Sequence, residues 1–347
     1  MDYIYIPTSS CKSGDVIAFD VITNHGATLI IKNTTLNDYI IKKLIKFKIE
    51  GLWIYETKIT GKLDEYDSME RLEVNYKGSI AALKKSLINM LKGEEVNLDI
   101  INSVSKTIYA EVQEDINIIK CLNSIKDADE YTYSHSINVA FYSMLICKWL
   151  GLSETEILRV IEAALLHDIG KIKIESTVLN KKGKLTPDEF EIIKKHTVYG
   201  YEILKPLKNI SKDERLAVLM HHEKEDGSGY PFGAKGDKIN RFAKIISIAD
   251  VYDAITSDRV YKKRNTPFEA FQFFQISGIR YFDLIIMKEF LSHISALYIG
   301  FKVRLSSGDI GQIVYIPPFN ITEPIVQVNS NYIDLSKNSD IKILSIF

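Results

Sequence analysis

The sequence predicts a mainly α-helical protein with small mixed and β-rich segments at its two ends. Apolar residues recur at steps of three or four through most of residues 79–297, whereas short strand-like runs with Gly, Pro and Ser turns lie outside that stretch. Five of the seven histidines lie between residues 135 and 222, within the helical part. We expect four segments: a small α+β domain over 1–66, connecting helices over 67–122, a helical bundle domain over 123–297 and a β-rich extension over 298–347.

The first segment has the pattern of a small α+β domain. Residues 15–22 and 27–32 are strand-like, residues 39–47 have helical periodicity, and residues 52–56 are again strand-like. The polar stretch that follows, residues 61–71, shows no strand alternation and little apolar character. We therefore expect it to be a linker.

The connecting segment carries an apolar stripe. Residues 98–122 have helical periodicity, and the stripe has a member at every third or fourth position: Ile101, Val104, Ile108, Val112, Ile116 and Ile119. Such a stripe is either the buried face of a helix or the seam of a homodimer. We favour the buried face, because amphipathic helices usually bury their apolar side within their own domain.

Within the bundle domain, local signals mark where helices begin and what they bury. Thr186-Pro187-Asp188-Glu189 has the form of a helix start, with Thr as N-cap, Pro at the first helical position and acids in the first turn. The aromatic run at 268–274 has helical spacing, which favours core packing over a base-stacking platform. After Gly300, strand-like runs with Ser-Gly and Pro-Pro turns predict the β-rich extension.

Composition excludes several classes of protein. The 347 residues carry 44 basic and 45 acidic side chains, so net charge gives no reason to expect a nucleic-acid polymer as partner. The three cysteines are widely spaced and form no Cys-x-x-Cys pair, which predicts free, buried thiols in a reducing compartment. No apolar run approaches the roughly 18 residues that a membrane span needs. We expect a soluble, cytoplasmic protein with no leader sequence.

The histidines are spaced so that several helices could each bring one to a common centre. His135, His167, His196 and the pair His221-His222 are separated by 32, 29 and 25 residues, and Asp250 follows His222 by 28. Helical bundles hold dinuclear metal sites with side chains that converge in this way. Nitrogen and oxygen donors without a thiolate favour iron or manganese over structural zinc. The alternative, a helix-end His-Asp pair without chemistry, does not account for the other histidines.

These residues lie in motifs that resemble those of the HD-GYP domain, a branch of the HD phosphohydrolase superfamily. The matching stretches are HSINVA from His135, HDIGK from His167, HHEKEDGSGYP from His221 and IADVYDAITSDR from Ile248. The resemblance covers roughly residues 120–297. It implies an HD-type helical bundle catalytic domain and a metal-dependent phosphodiesterase that hydrolyses cyclic di-GMP to linear pGpG and on to GMP.

The resemblance also implies which residues bind metal. One ion would be held by His135, His167, Asp168 and Asp250, and a second by Asp168, His196, His221 and His222. Asp168 would bridge the two ions, and a hydroxide between them would attack phosphorus in line. Some family members hold a third ion through a glutamate one turn before the first histidine. Tyr131 stands at that position, so we expect two ions, and the donor types favour iron or manganese.

Catalytic and substrate-binding roles follow from the same motifs. With Asp168, the expected catalytic residues are Lys171, which would neutralise charge on the phosphorane, and Asp253. The expected substrate-binding residues are Gly229, Tyr230, Arg259 and Lys262. The sequence departs from the usual family pattern at Val260 and Lys262, where proline and arginine are common.

Two other functions fit parts of the pattern. A catalytically weak receptor or scaffold could bind the cyclic dinucleotide without hydrolysing it. It could also bind a diguanylate cyclase partner through the GYP loop, Gly229-Tyr230-Pro231. Another HD-superfamily chemistry, such as a nucleotidase or di-iron oxygenase, would use similar ligands but has no need of that loop. The complete ligand set favours the phosphodiesterase.

Overall fold

A computed structural model describes residues 3–23, 27–56, 63–91, 96–114, 118–124, 131–181, 183–257 and 265–347. The chain divides into two compact units. The first comprises Met1–Asp67, Thr266–Gln272 and Phe290–Phe347, and the second comprises Ser68–Asn265 and Phe273–Glu289. The chain is mainly helical, as predicted, with strands at both ends.

The first unit is built around a core that both ends of the chain share. Strands β1 (Tyr3–Pro7) and β4 (Gly51–Tyr55) pair antiparallel, as do β2 (Val21–Ile22) and β3 (Thr28–Ile30), and helix α1 spans Asp38–Lys46. The C-terminal strands form one antiparallel sheet in the order β8-β7-β6-β5-β9, with β5 Lys302–Leu305, β6 Ile310–Tyr315, β7 Ile325–Val328, β8 Asn331–Asp334 and β9 Ile343–Ile346.

The shared core changes how the two terminal segments are understood. Leu36, Ile40 and Leu44 pack in the same apolar cluster as Val314 and Tyr315. The segments over 1–66 and 298–347, which the sequence treats separately, therefore belong to one compact unit. The four predicted domain boundaries themselves stay predictions.

The second unit is a helical bundle. Its helices are α2 (Leu63–Leu91, whose first residues belong to the first unit), α3 (Leu98–Glu114), α4 (Ile118–Ser124), α5 (Tyr131–Trp149), α6 (Glu154–Leu166), α7 (Ser176–Leu179), α8 (Pro187–Lys194), α9 (His196–Leu204), α10 (Lys212–Met220) and α11 (Arg241–Thr256). Of the helices that follow, α12 (Pro267–Phe273) belongs to the first unit except for its last residue, α13 (Ile279–Tyr281) belongs to the second, and α14 (Leu284–Ala296) begins in the second and ends in the first. No helix in the described part of the chain is both long and apolar enough to cross a membrane.

Several local expectations are confirmed. Thr186 caps α8 in a capping box with Glu189, and Pro187 is at the first helical position. Phe268 and Phe271 are buried, as core packing requires. The stripe residues Ile101, Val104, Ile108 and Ile119 are buried within a single chain, whereas the side chains of Val112 and Ile116 lie outside the described part. All three cysteines are buried, and none of them forms a disulfide among the described residues.

Two local expectations are wrong. The predicted linker over residues 61–71 is largely the start of α2, because Leu, Glu, Met and Arg favour a helix even where the segment is polar. The strand expected over 15–22 shrinks to Val21–Ile22, while the β1 strand at the N-terminus was not predicted. The β1 sequence YIYIP is rich in Tyr and Ile, which are residue types that favour strands.

Candidate functional site

Helix ends place the candidate ligands. Helices α6, α8 and α10 each begin with a capping box, at Ser153, Thr186 and Ser211. A capping box fixes where a helix starts and therefore where its last turn presents side chains. His167 follows the last turn of α6, and His221 follows that of α10. His196 begins α9 directly after α8, while His135 lies within α5 and Asp250 within α11.

The structure brings the seven predicted ligands together in two groups. The donor atoms of Asp168, His196, His221 and His222 lie within 4.8 Å of one another, and so do those of His135, His167 and Asp250. Asp168 faces both groups. Its Oδ1 atom is 3.3 Å from His196 Nε2, and its Oδ2 atom is 3.3 Å from His167 Nε2 and 3.9 Å from His135 Nε2. One carboxylate oxygen per group is the arrangement that a bridging ligand needs.

Three of the histidines are oriented by their own helix turns. The Nδ1 atoms of His167, His196 and His221 bond the backbone carbonyls of Ala164, Ile193 and Val218, each three residues earlier, at 2.7 to 2.8 Å. A carbonyl oxygen only accepts, so Nδ1 carries the proton and Nε2 keeps its lone pair. All three Nε2 atoms are thereby available as ligands.

His135 is oriented by a side chain from another helix. Its Nδ1 atom is 2.7 Å from Asp253 Oδ2, and its Nε2 atom is 3.2 Å from Asp250 Oδ1. Asp253 is 1% exposed and also accepts hydrogen bonds from Asn138 Nδ2 and Ser257 Oγ, both at 2.8 Å. Asp253, predicted to be catalytic, thus lies behind the His135 ring, on the side away from the other ligands.

The protonation states suit cation binding. Burial lowers the pKa of His196, His221 and His222, which leaves these imidazoles neutral at pH 7. Burial alone would raise the pKa of Asp168, but Lys171 and then His167 outweigh it and hold that pKa well below its ordinary range. For His135, burial opposes protonation, yet the Asp250 and Asp253 carboxylates raise its pKa to about 10 in the absence of a cation.

Two buried polar atoms give an independent test of whether a cation fits. His167 Nε2 and Asp168 Oδ1 are buried and have no hydrogen-bond partner among the described residues. Leaving such atoms unpaired costs about 1–3 kcal/mol each, more for a charged group. A divalent cation held by each group would satisfy both atoms. The site residues therefore fit a divalent metal.

The GYP loop approaches the ligand pair through a glycine. A Cβ atom on Gly229 would lie 2.4 Å from the His222 carbonyl oxygen and 2.5 Å from Glu223 Cα. Only a residue without a side chain allows the loop to pack this closely against the backbone of His222. Gly229 therefore has a positioning role here, and its predicted contact with substrate stays a prediction.

Tyr230 forms one wall beside the ligands. Its ring is 4.7 Å from that of His222 and 6.3 Å from that of Phe190 on α8, measured between centroids. The Lys194 ammonium lies 4.9 Å from the Phe190 ring and 5.7 Å from the Tyr230 ring. Two aromatic rings and a cation are thus adjacent to one ligand group. Phe190 and Lys194 were not predicted from the sequence, because neither falls in a recognised motif.

Lys171 lies at the site, while two other predicted residues cannot be placed. Lys171 Nζ is 2.5 Å from Asp168 Oδ2, and its side chain is 31% exposed, so it contacts a predicted ligand and also reaches the surface of the site. Arg259 and Lys262 lie outside the described residues. Their substrate contacts stay predictions.

Comparison with known proteins agrees with this geometry. A family model described as HD domain matches residues 95–284. The chain belongs to the HD domain family. Its resemblance to the HD-GYP branch, drawn from the motifs, is confirmed.

Relatives of this HD domain protein include two curated enzymes. A cyclic di-GMP phosphodiesterase of Pseudomonas aeruginosa is 33% identical over 250 residues, which cover 71% of this chain and 60% of that protein. A 3'3'-cGAMP-specific phosphodiesterase of Vibrio cholerae is 40% identical over 146 residues, which cover 42% of this chain and 32% of that protein. This chain therefore matches only part of each relative.

A solved structure supports the fold of this HD domain protein. An HDG"Y"P protein from Bdellovibrio bacteriovorus superposes with a TM-score of 0.54 at 17% identity, covering 83% of this chain and 98% of that one. At this identity the likeness concerns the fold.

Glu223 is a second loop-positioning residue of this HD domain that the sequence did not single out. It is 3% exposed, and its two carboxylate oxygens accept hydrogen bonds from the Phe232 and Ala234 backbone N–H groups at 2.7 and 2.9 Å. These bonds hold the segment after Tyr230 against the His221-His222 turn. The sequence carries one signal for this role, which is the position of Glu223 directly after the histidine pair.

We expect Glu223→Gln to loosen the loop without removing metal. An amide has only one acceptor atom, so one of the two backbone N–H groups would face an NH₂ group. Loss of one charge-assisted bond costs about 1.5–3 kcal/mol. If the loop contacts the substrate of the HD domain, this loss predicts a roughly tenfold or larger rise in the KM for that substrate. Steady-state kinetics and metal analysis check this, with the exposed Glu202→Gln as matched control. Metal loss equal to that of a ligand mutant would contradict the positioning role.

Proposed function

We propose that this protein is a metal-dependent phosphodiesterase that hydrolyses a cyclic dinucleotide, with cyclic di-GMP as the first candidate. The observation that carries the proposal is the pair of nitrogen and oxygen donor groups that share Asp168, one carboxylate oxygen facing each group. The same substrate class is named for the relatives from P. aeruginosa and V. cholerae. The presence of a cGAMP-specific relative makes 3'3'-cGAMP the second candidate substrate.

We further propose that the site holds two divalent ions, iron or manganese. His135, His167 and Asp250 would hold one and His196, His221 and His222 the other, with Asp168 between them. When bound, such ions act as Lewis acids on a phosphoryl group and activate water near neutral pH. The protein's part is to keep the histidine Nε2 atoms deprotonated and the carboxylates ionised, which the backbone carbonyl bonds and the lowered pKa of Asp168 both favour.

The residues around the ligands supply binding and orientation. We propose that one base of the substrate stacks on Tyr230 and Phe190, whose rings form the wall beside His222. Lys194, which lies against both rings, would pair with a phosphate of the substrate, as would Arg259 and Lys262. Lys171 would stabilise the negative charge that develops on phosphorus, since it is next to Asp168 and partly exposed.

The central experiment is a product assay combined with metal analysis. Anaerobically purified protein, with its metals quantified, is incubated with cyclic di-GMP or 3'3'-cGAMP plus Mn²⁺ or Fe²⁺, and products are resolved by chromatography. We expect linear dinucleotide and then mononucleotide from at least one substrate, and two ions per chain. Tight binding without product would favour the receptor function instead. A homodimer and a diguanylate cyclase partner are alternatives that the sequence leaves open, and they and the expected cytoplasmic location rest on the sequence alone.

We expect Lys171→Met to lower the rate while leaving the metals bound. The variant keeps the length of the side chain but removes its charge, which acts mainly on the transition state. Removing one such stabilising group typically lowers kcat about 10²–10³-fold. Single-turnover kinetics and metal content are the measurements, with Lys173→Met in the same turn as control because Lys173 faces the Tyr199 ring. Loss of metal in Lys171→Met would make the residue structural.

A further inference from the structure

The two ligand groups differ in what orients their histidines. In the group of Asp168, His196, His221 and His222, the His196 and His221 rings are fixed by carbonyls of their own helix turns. In the other group, His167 is fixed in the same local way. His135 instead depends on Asp253, a side chain 118 residues away on α11. Its orientation is therefore a tertiary property and can change when packing changes.

Asp253 is in turn held by a relay of buried polar groups that leads to α2 and consists of Asp253, Asn138 and Tyr76. Asn138 Nδ2 donates to Asp253 Oδ1 at 2.8 Å, and the Tyr76 hydroxyl donates to Asn138 Oδ1 at 2.7 Å. Tyr76 is 1% exposed and Asn138 is 8% exposed. An amide oxygen only accepts and a carboxylate only accepts, so every donor direction in this relay is determined.

We propose that Tyr76 is a positioning residue which, through Asn138 and Asp253, sets the metal affinity of the His135–His167–Asp250 group alone. This inference rests on the proposed two-metal centre. The hydroxyl of Tyr76 fixes the amide of Asn138, the amide fixes Asp253, and Asp253 fixes both the tautomer and the ring angle of His135. The other group contains no member of this relay.

The relay connects one metal position to one helix. Tyr76 lies on α2, the long helix through which the chain passes from the first compact unit to the second. A displacement of α2 that breaks the Tyr76–Asn138 bond would weaken metal binding at one position and leave the other intact. Metal occupancy, and with it turnover, would then respond to the position of α2.

The test is Mn²⁺ titration of the metal-free full chain by calorimetry. Wild type is expected to show two binding steps, which His135→Ala and His196→Ala assign to the two groups. Tyr76→Phe should weaken the His135 step roughly fivefold, the effect of losing one neutral hydrogen bond, and leave the other step unchanged. Asn138→Ala should weaken the same step by about 10–100-fold, and adding Tyr76→Phe to it should have no further effect.

A matched control separates this role from a general loss of stability. The Tyr315 hydroxyl is also buried and also donates a 2.7 Å hydrogen bond, to the Leu29 carbonyl in the first unit. Tyr315→Phe should lower the unfolding free energy about as much as Tyr76→Phe but leave both metal steps unchanged. Equal weakening of both steps, or no change in Tyr76→Phe, overturns the relay. A single wild-type step overturns the two-metal centre itself, and the relay with it.

Discussion

Asp168→Ala is expected to abolish hydrolysis and to remove most of the bound metal. The Oδ1 atom faces His196 and the Oδ2 atom faces His167 and His135, so one truncation takes a ligand from both groups. It also removes the carboxylate that pairs with Lys171, so the Lys171 ammonium is left beside the remaining histidines. We expect activity below one thousandth of wild type, because neither activation of water nor charge stabilisation survives.

The measurement combines product formation, metal content and thermal unfolding. In wild type, Mn²⁺ at about 100 times its Kd should stabilise the fold by about 2.7 kcal/mol for each bound ion, and in Asp168→Ala this stabilisation should disappear. The exposed Asp237→Ala serves as control and should keep both the activity and the metal response. Two bound ions and more than a tenth of wild-type activity in Asp168→Ala would refute the bridging role.

The sequence predicts which side chains come together because their type and spacing indicate a common chemistry. His135 lies on α5, the His167-Asp168 pair follows α6, and Asp250 lies on α11, but each falls within a short motif that can be recognised locally. The structure brings all seven predicted ligands into two groups. Their metal-binding roles are still proposals, but their convergence is an observation that spacing alone had only suggested.

The residues that support the ligands could not be predicted in the same way. Asn138 and Tyr76 are ordinary polar members of helices, and their partners are 115 and 62 residues distant. No local pattern pairs them, because the pairing exists only after α2, α5 and α11 have packed. Glu223 is different, since it is next to the histidine pair. The backbone N–H groups that donate to its carboxylate, however, lie nine and eleven residues later, in a loop whose path the sequence does not determine.

The wrongly predicted linker has a simple physical cause. Residues 61–71 are polar and have little apolar character, and this composition predicts a linker. Helix formation depends on backbone propensity as well as on an apolar face, and the residues at the start of α2 include good helix formers. The error concerned the helix that carries Tyr76, so the relay to His135 could not have been found from the sequence.

Gly170→Ala is expected to destabilise the fold and to disturb the His196 group. Gly170 lies in HDIGK between Asp168 and Lys171, and the motif alone does not show why a glycine is needed there. A Cβ atom there would be 1.9 Å from the His196 carbonyl oxygen and 2.5 Å from the Gly200 backbone nitrogen. Both are backbone atoms of α9, so no side chain can move aside and the helix itself must shift.

The expected cost of Gly170→Ala is about 3 kcal/mol or more in the free energy of unfolding, at the upper end of overpacking effects. Urea denaturation of the metal-free protein measures it. Gly78→Ala is the control: Gly78 lies within α2, nothing comes within 4 Å of its Cβ position, and the substitution should stabilise the helix by about 0.5–1 kcal/mol. Because α9 begins at His196, Gly170→Ala should also weaken Mn²⁺ binding at the His196 group more than at the His135 group. Unchanged stability and unchanged metal binding would show that α9 does not need this close approach to Gly170.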